Sequence, residues 1–154
     1  MQRTKRQLIL EEGLVVPVAS RWFIKTGFVY FALGMIMGMA LLLQPVFGWP
    51  NAIQSLKPVY LHFIFIGWVT QLIMGVGYWM FPKYTRAKPR GDAWLVWSVY
   101  VMLNLGMIFR TLGEPAVLLN PLGGWGWTLA AASTLLLLAG WGYIWLVWGR
   151  IKER

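Results

Sequence analysis

The sequence predicts an all-α integral membrane protein, with four transmembrane helices in an antiparallel bundle, from three observations. The 154 residues are 58% hydrophobic, with a mean hydropathy of +0.59, a higher apolar share than that of an ordinary soluble domain. The apolar residues form four runs, separated by short segments rich in glycine, proline and charge. Each run is long enough, at about 1.5 Å per residue, to cross the roughly 30 Å hydrocarbon core of a bilayer.

The second run is the clearest span. Between Lys57 and Lys83 lie Pro58, Pro82 and 23 residues without a formal charge, among them His62, the only histidine of the chain. We predict one membrane domain that begins with a tail over 1–20 and has spans at about 22–43, 59–81, 93–112 and 125–148. Short loops between the spans favour antiparallel neighbours.

The connecting segments are predicted from their turn-forming residues. Residues 44–57 contain two prolines, a glycine and an asparagine and are expected to form a loop. The run GEPAVLLNPLGG, which follows Leu112, is expected to end the third span because its glycines and prolines do not continue a helix. Gly34 and Gly38 are four residues apart in the first span, a spacing that lets a second helix approach closely.

The distribution of positive charge predicts that both termini are cytoplasmic, because cytoplasmic segments near span ends are enriched in Lys and Arg. On the opposite side lie only Lys57 and Arg110. The N-terminal region, the loop after the second span and the C-terminus contain the other basic residues: Arg3, Lys5, Arg6, Arg21, Lys25, Lys83, Arg86, Lys88, Arg90, Arg150, Lys152 and Arg154.

Several classes of function are disfavoured. The net charge of +9 does not indicate nucleic-acid binding, since the basic residues lie outside the apolar spans. No cysteine is present for disulfide, thiolate or iron–sulfur chemistry. The acids are placed in tails, loops or span ends, so we expect no buried acid of the kind that pumps and ion-coupled transporters use, and no independent hydrolytic catalysis. They are Glu11, Glu12, Asp92, Glu114 and Glu153.

A small polar set remains as the candidate site. His62 and Arg110 are expected at a similar depth near the outer surface, and Glu114 follows Arg110 by four residues, the spacing of a helical ion pair. Gln71 and Asn104 are expected deeper. The first three residues could line a site for a heme, a quinone headgroup or a lipid phosphate. Alternatively, Arg110 extends to the headgroups, Glu114 caps it and His62 bonds to a loop carbonyl.

The run KPVYLHFIFIGWVTQLIMGVGYWMFPK resembles the second transmembrane helix of subunit I in heme–copper oxidases, especially the C-type cytochrome oxidases and the nitric oxide reductases. Over residues 21–115 the chain resembles short, four-helix bacterial proteins related to that subunit. The other residues that carry the resemblance are Lys25, Thr26, Gly27, Pro82, Lys83, Asn104, Leu105, Gly106, Arg110, Gly113, Glu114 and Pro115.

In the large oxidases this helix supplies an axial histidine to the low-spin heme, and the resemblance places that ligand position on Tyr60. At about 100° per residue, Tyr60 shares a helix face with small and polar residues that should pack inward. This inward face also contains Gly67, Gln71, Met74, Gly75 and Tyr78. His62 is expected instead on the apolar face that is turned outward, with Phe65, Ile66, Val69, Ile73, Val76 and Met80.

The resemblance implies an accessory or structural subunit of a respiratory complex in the bacterial cytoplasmic membrane, with no catalytic activity and no cofactor of its own. Its partners would be other membrane subunits and lipids, and not nucleic acid. One alternative is a b-type heme protein in which His62 binds iron and the second ligand comes from a partner subunit or from a symmetry mate in a homo-oligomer. Another alternative is quinone or lipid binding near Arg110.

Overall fold

The structure, a computed structural model, describes residues 16–82 and 90–151. In these two ranges it contains helices and no β-strand, and four helices are long and apolar enough to cross a membrane. These are α1 (Val18–Phe47), α2 (Asn51–Met80), α3 (Ala93–Leu119) and α4 (Gly126–Trp148). The prediction of four helices of spanning length is confirmed. These spans are identified by length and composition alone, so insertion into a membrane and the orientation of the termini stay predictions.

The predicted loop over residues 44–57 is wrong, because most of it is helical and only residues 48–50 are not. Helix α1 continues through Pro45 to Phe47, and Gly48 ends it in the left-handed region at φ +63°. A 3₁₀ helix, Asn51–Leu56, then leads directly into the α-helical turn Lys57–His62. The Gln44 side chain holds this corner by donating hydrogen bonds to the Trp49 carbonyl (2.9 Å) and to Asn51 Oδ1 (3.1 Å).

The predicted end of the third span at Leu112 is also wrong, since α3 continues through Pro115 to Leu119. Proline removes one helical N–H donor, but this end of α3 is held against α4. A side chain on Gly113 would meet Thr128 of α4. Gly113 was expected to help end the helix, but it instead allows α3 and α4 to pack closely. As a consequence, Glu114 lies inside a helix and is buried.

The middle of α2 is a π-helix, Phe63–Thr70, that begins directly after His62. Its wider turn is accompanied by a hydrogen bond from Thr70 Oγ1 to the carbonyl of Phe65, five residues earlier (2.8 Å). Segments of this kind are rare and frequently occur at functional sites. The predicted inward face of α2 is confirmed, with Tyr60 half-buried and the other members buried: Gly67, Gln71, Met74, Gly75 and Tyr78.

Helices α1 and α2 pack with large side chains of one against glycines of the other. A Cβ atom on Gly67 would lie 2.6 Å from Cγ of Tyr30, and one on Gly75 would lie 2.8 Å from Cβ of Phe23. In the opposite sense, a Cβ on Gly34 would lie 2.7 Å from Cδ1 of Ile64. The close approach predicted from Gly34 and Gly38 is therefore confirmed.

Helix α4 packs mainly on α3 and reaches α2 through two polar side chains. The Tyr143 hydroxyl donates to the Met74 carbonyl (3.1 Å). The buried Arg150 donates to the carbonyls of Tyr78 (3.0 Å), Phe81 (2.8 Å) and Pro82 (3.0 Å), which lie at the C-terminal end of α2. Burial lowers the pKa of Arg150, but an arginine remains charged at neutral pH. Helices α2 and α4 thus end at the same side of the bundle, as the predicted antiparallel order requires.

Gly67→Ala should destabilise the protein by about 1–3 kcal/mol, because the added methyl group has to displace Tyr30 in a packed interface. Gly140→Ala is the matched control: its Cβ would meet no atom within 4 Å, and alanine favours a helix over glycine by up to about 1 kcal/mol. Unfolding in detergent micelles, followed by circular dichroism, measures both variants. Equal stability of the two would contradict the packing described for α1 and α2.

Candidate functional site

Three ionisable side chains meet where α2 begins and α3 approaches its end. Glu114 Oε1 lies 3.2 Å from His62 Nδ1 and 3.2 Å from Arg110 Nη1. The Glu114 side chain is 7% exposed, and those of His62 and Arg110 are 22% and 23% exposed. The carboxylate is therefore enclosed by the two basic groups, which shield it from the surroundings.

This cluster forms because α3 is longer than the sequence pattern indicates. Arg110 and Glu114 are one turn apart on α3, so the predicted i,i+4 pair forms. The extra turn after Leu112 brings Glu114 to α2, where it contacts His62. Two expectations are corrected here: Glu114 is a buried acid inside a helix of spanning length, and His62 faces α3 instead of lying on an outward apolar face.

His62 also uses a backbone acceptor. Its Nδ1 lies 2.9 Å from the carbonyl of Pro58, one turn earlier in α2, as well as 3.2 Å from Glu114. One ring nitrogen thus faces two acceptors, which favours a proton on Nδ1. With Nδ1 protonated, Nε2 is the nitrogen left to accept a hydrogen bond or to ligate a metal.

The cluster keeps unused hydrogen-bonding capacity. Glu114 Oε2 and Arg110 Nε are buried and have no hydrogen-bond partner within residues 16–82 and 90–151. An unpaired buried polar atom costs about 1–3 kcal/mol. Ionisable side chains inside apolar helices are expensive and usually mark function, so this cluster is the best candidate site in the described part of the chain.

A second polar group lies deeper between the helices. Gln71 Nε2 donates to Asn104 Oδ1 (3.2 Å), and Asn104 Nδ2 donates to the Tyr100 carbonyl (2.8 Å). The Tyr100 hydroxyl shares a hydrogen bond with Thr26 Oγ1 (2.7 Å). The three helices α1, α2 and α3 are therefore joined by one polar chain, in which the buried Gln71 Oε1 has no partner among the described residues.

Tyr60, the position that the predicted resemblance aligns with an oxidase heme ligand, is separate from both groups. Its ring lies against Gly38 of α1, where a Cβ would come within 2.9 Å of Cε2. It lines an open groove of about 310 Å³ between α1 and the beginning of α2. The structure thus brings His62 together with Arg110 and Glu114, and Gln71 together with Asn104, but brings Tyr60 to neither.

Sequence reasoning missed the role of Arg150, which was used only as a mark of orientation. The position of Arg150 just after the fourth span did indicate a role, because basic side chains near the end of a helix can bind the free carbonyls there. The sequence did not indicate that these carbonyls would belong to α2. For metals, residues 16–82 and 90–151 contain no group of three or more His, Cys, Asp or Glu side chains that could hold an ion.

Comparisons with protein-family models, with curated proteins and with solved structures found no match. None of the three links the chain to heme–copper oxidases, so that resemblance stays a prediction.

A double-mutant cycle on Glu114 and Arg110 tests whether the cluster acts as a unit. Glu114→Gln keeps the side-chain shape but removes the charge between two basic groups, and should lower the free energy of unfolding by about 1–3 kcal/mol. Arg110→Gln should also destabilise, because it leaves the carboxylate less compensated. The double variant should lower the free energy of unfolding by less than the sum of the two single losses. Additive losses in micelle unfolding experiments would show that the two side chains are independent.

Proposed function

We propose that this protein is an accessory subunit of an oxidase-like respiratory complex in the bacterial cytoplasmic membrane, with both termini cytoplasmic and without catalytic activity of its own. The observation that carries the proposal is that the residues on which the resemblance to oxidase subunit I rests make polar contacts inside this bundle. Asn104 bonds Gln71, Arg110 pairs with Glu114, and Thr26 bonds Tyr100. The first and third of these contacts join different helices and the second lies within α3, so the residues that carry the resemblance serve the packing of this bundle, as expected of a scaffold that retains the oxidase-like sequence.

The face of α4 that is turned away from the other helices offers a contact for a neighbouring transmembrane helix. Helix α4 lies at the edge of the bundle, and an open groove of about 500 Å³ runs along its C-terminal half. Exposed aromatic residues line it: Trp141, Trp145 and Trp148, together with Ile144 and Gly149. Aromatic side chains are enriched where protein surfaces associate, which favours a helix of a partner subunit as the occupant.

Purification from native membranes in a mild detergent tests the proposal. The tagged protein is expected to retain subunits of a respiratory complex, identified by mass spectrometry and by their heme absorption. Trp145→Ala should reduce this retention several-fold, because it removes one of the aromatic rings that line the groove. Trp127→Ala is the matched control, since Trp127 is as exposed as Trp145 (83% and 81%) and lies at the opposite end of α4. Recovery of the wild type without respiratory subunits would contradict the proposal.

A b-type heme protein is the second candidate, and the hydrogen bonding of His62 favours it. Metal-ligating histidines commonly donate the N–H of one ring nitrogen to a carbonyl or carboxylate and bind the metal with the other. His62 Nδ1 faces such partners, the Pro58 carbonyl and Glu114. When bound, heme would supply one-electron transfer. The only histidine of the chain would provide one ligand, and a partner subunit or a second copy of this chain would provide the other.

The absorption spectrum of the purified protein decides this second candidate. We expect a Soret band that His62→Ala abolishes and that Tyr60→Phe leaves unchanged, because Tyr60 lies in a different groove. A wild-type protein without a Soret band, or a band that persists in His62→Ala, would exclude iron ligation by His62.

A further inference from the structure

The groove beside Tyr60 has the form of a site for an amphiphile. It lies between α1 and the beginning of α2 and has a volume of about 310 Å³. On the α1 side it is lined by Gly38, against which the Tyr60 ring lies. The other residues that line it are Leu41, Leu42, Gln54, Lys57, Tyr60 and Leu61. Polar and apolar side chains thus share one open depression on the surface of the bundle.

The polar residues provide a cation and a hydroxyl donor. Lys57 and Tyr60 are three residues apart in the helical turn Lys57–His62, so they lie on neighbouring positions of one face. Within the described ranges, neither the Lys57 ammonium nor the Tyr60 hydroxyl has a hydrogen-bond or ion-pair partner. Both groups are available to an anion in the groove.

The described part of the chain does not supply that anion. Its acids are Glu114 and Asp92. Glu114 is enclosed by His62 and Arg110. Asp92 directly precedes α3, and the antiparallel order of α2 and α3 places it at the opposite end of the bundle from Lys57. Within the described ranges no carboxylate lies beside Lys57, so its exposed ammonium can receive the anionic group of a bound molecule.

The apolar residues indicate what is attached to this negative group. Leu42 of α1 and Leu61 of α2 are 76% and 42% exposed beside the polar residues. An acyl chain laid along these leucines would cover apolar surface, a gain of about 25 cal/mol per Å² buried relative to water, although the gain relative to bulk lipid is smaller. A lysine beside such a surface attracts anionic lipid headgroups.

We propose that this groove binds an anionic phospholipid, with the phosphate at Lys57 and Tyr60 and one acyl chain along Leu42 and Leu61. The site is separate from the cluster of His62, Arg110 and Glu114, and it does not depend on the protein being a respiratory subunit. Loss of lipid binding and loss of partner subunits can therefore be distinguished.

Native mass spectrometry of the purified protein, equilibrated with phosphatidylglycerol or phosphatidylcholine, tests the site. The wild type should retain phosphatidylglycerol about fivefold more strongly, the effect expected of one lysine near an anionic headgroup. Lys57→Gln should abolish this preference, and Lys57→Arg should keep it. Lys25→Gln is the matched control, because Lys25 is also an exposed lysine of a spanning helix but does not line the groove.

Three results would overturn the proposal. One is equal retention of the two lipids by the wild type, which decides the matter even if a variant fails to fold. Another is a Lys57→Gln protein, folded by circular dichroism, that keeps the preference for phosphatidylglycerol. The third is an equal loss of preference in Lys57→Gln and Lys25→Gln, which would show that overall charge, and not this groove, attracts the lipid.

Discussion

The glycine contacts between α1 and α2 are the constraint on which the rest of the bundle depends. Tyr30 and Phe23 of α1 occupy the space that side chains on Gly67 and Gly75 would fill. Helices in a bilayer gain little from apolar burial, because lipid is as apolar as their side chains, so close packing and polar contacts hold them. Both helices also bond to α3, α1 through Thr26 and Tyr100 and α2 through Gln71 and Asn104.

The cluster of His62, Arg110 and Glu114 depends on a helix that continues across a proline. If α3 ended at Leu112, Glu114 would lie in a loop and would not be enclosed beside His62. The helix instead reaches Leu119, held by α4 against Gly113. The π-helix in α2 begins at the next residue after His62. A buried acid, its basic partners and an irregular helical turn thus coincide at one place, as is frequent at functional sites.

The inward face of α2 was predictable because helical geometry fixes which residues share a face, and small or polar residues face other helices in a membrane protein. The pair of Arg110 and Glu114 was predictable from its spacing. The contact of His62 with Glu114 was not, since it depends on the length of α3, where local propensity and packing disagree. Tyr60 and His62 are two residues apart, yet they lie in different sites because one faces α1 and the other faces α3.

The sequence by itself determined four helices of spanning length, the antiparallel direction of successive helices, and the residues of α2 that face inward. Apolar length and helical periodicity are local properties, so one chain is enough to read them. Only the tertiary structure decided where α1 and α3 end, that Glu114 is buried between His62 and Arg110, and that Arg150 binds the carbonyls at the end of α2. These features depend on contacts between residues up to 72 positions apart, where packing energies outweigh the local preferences of glycine and proline.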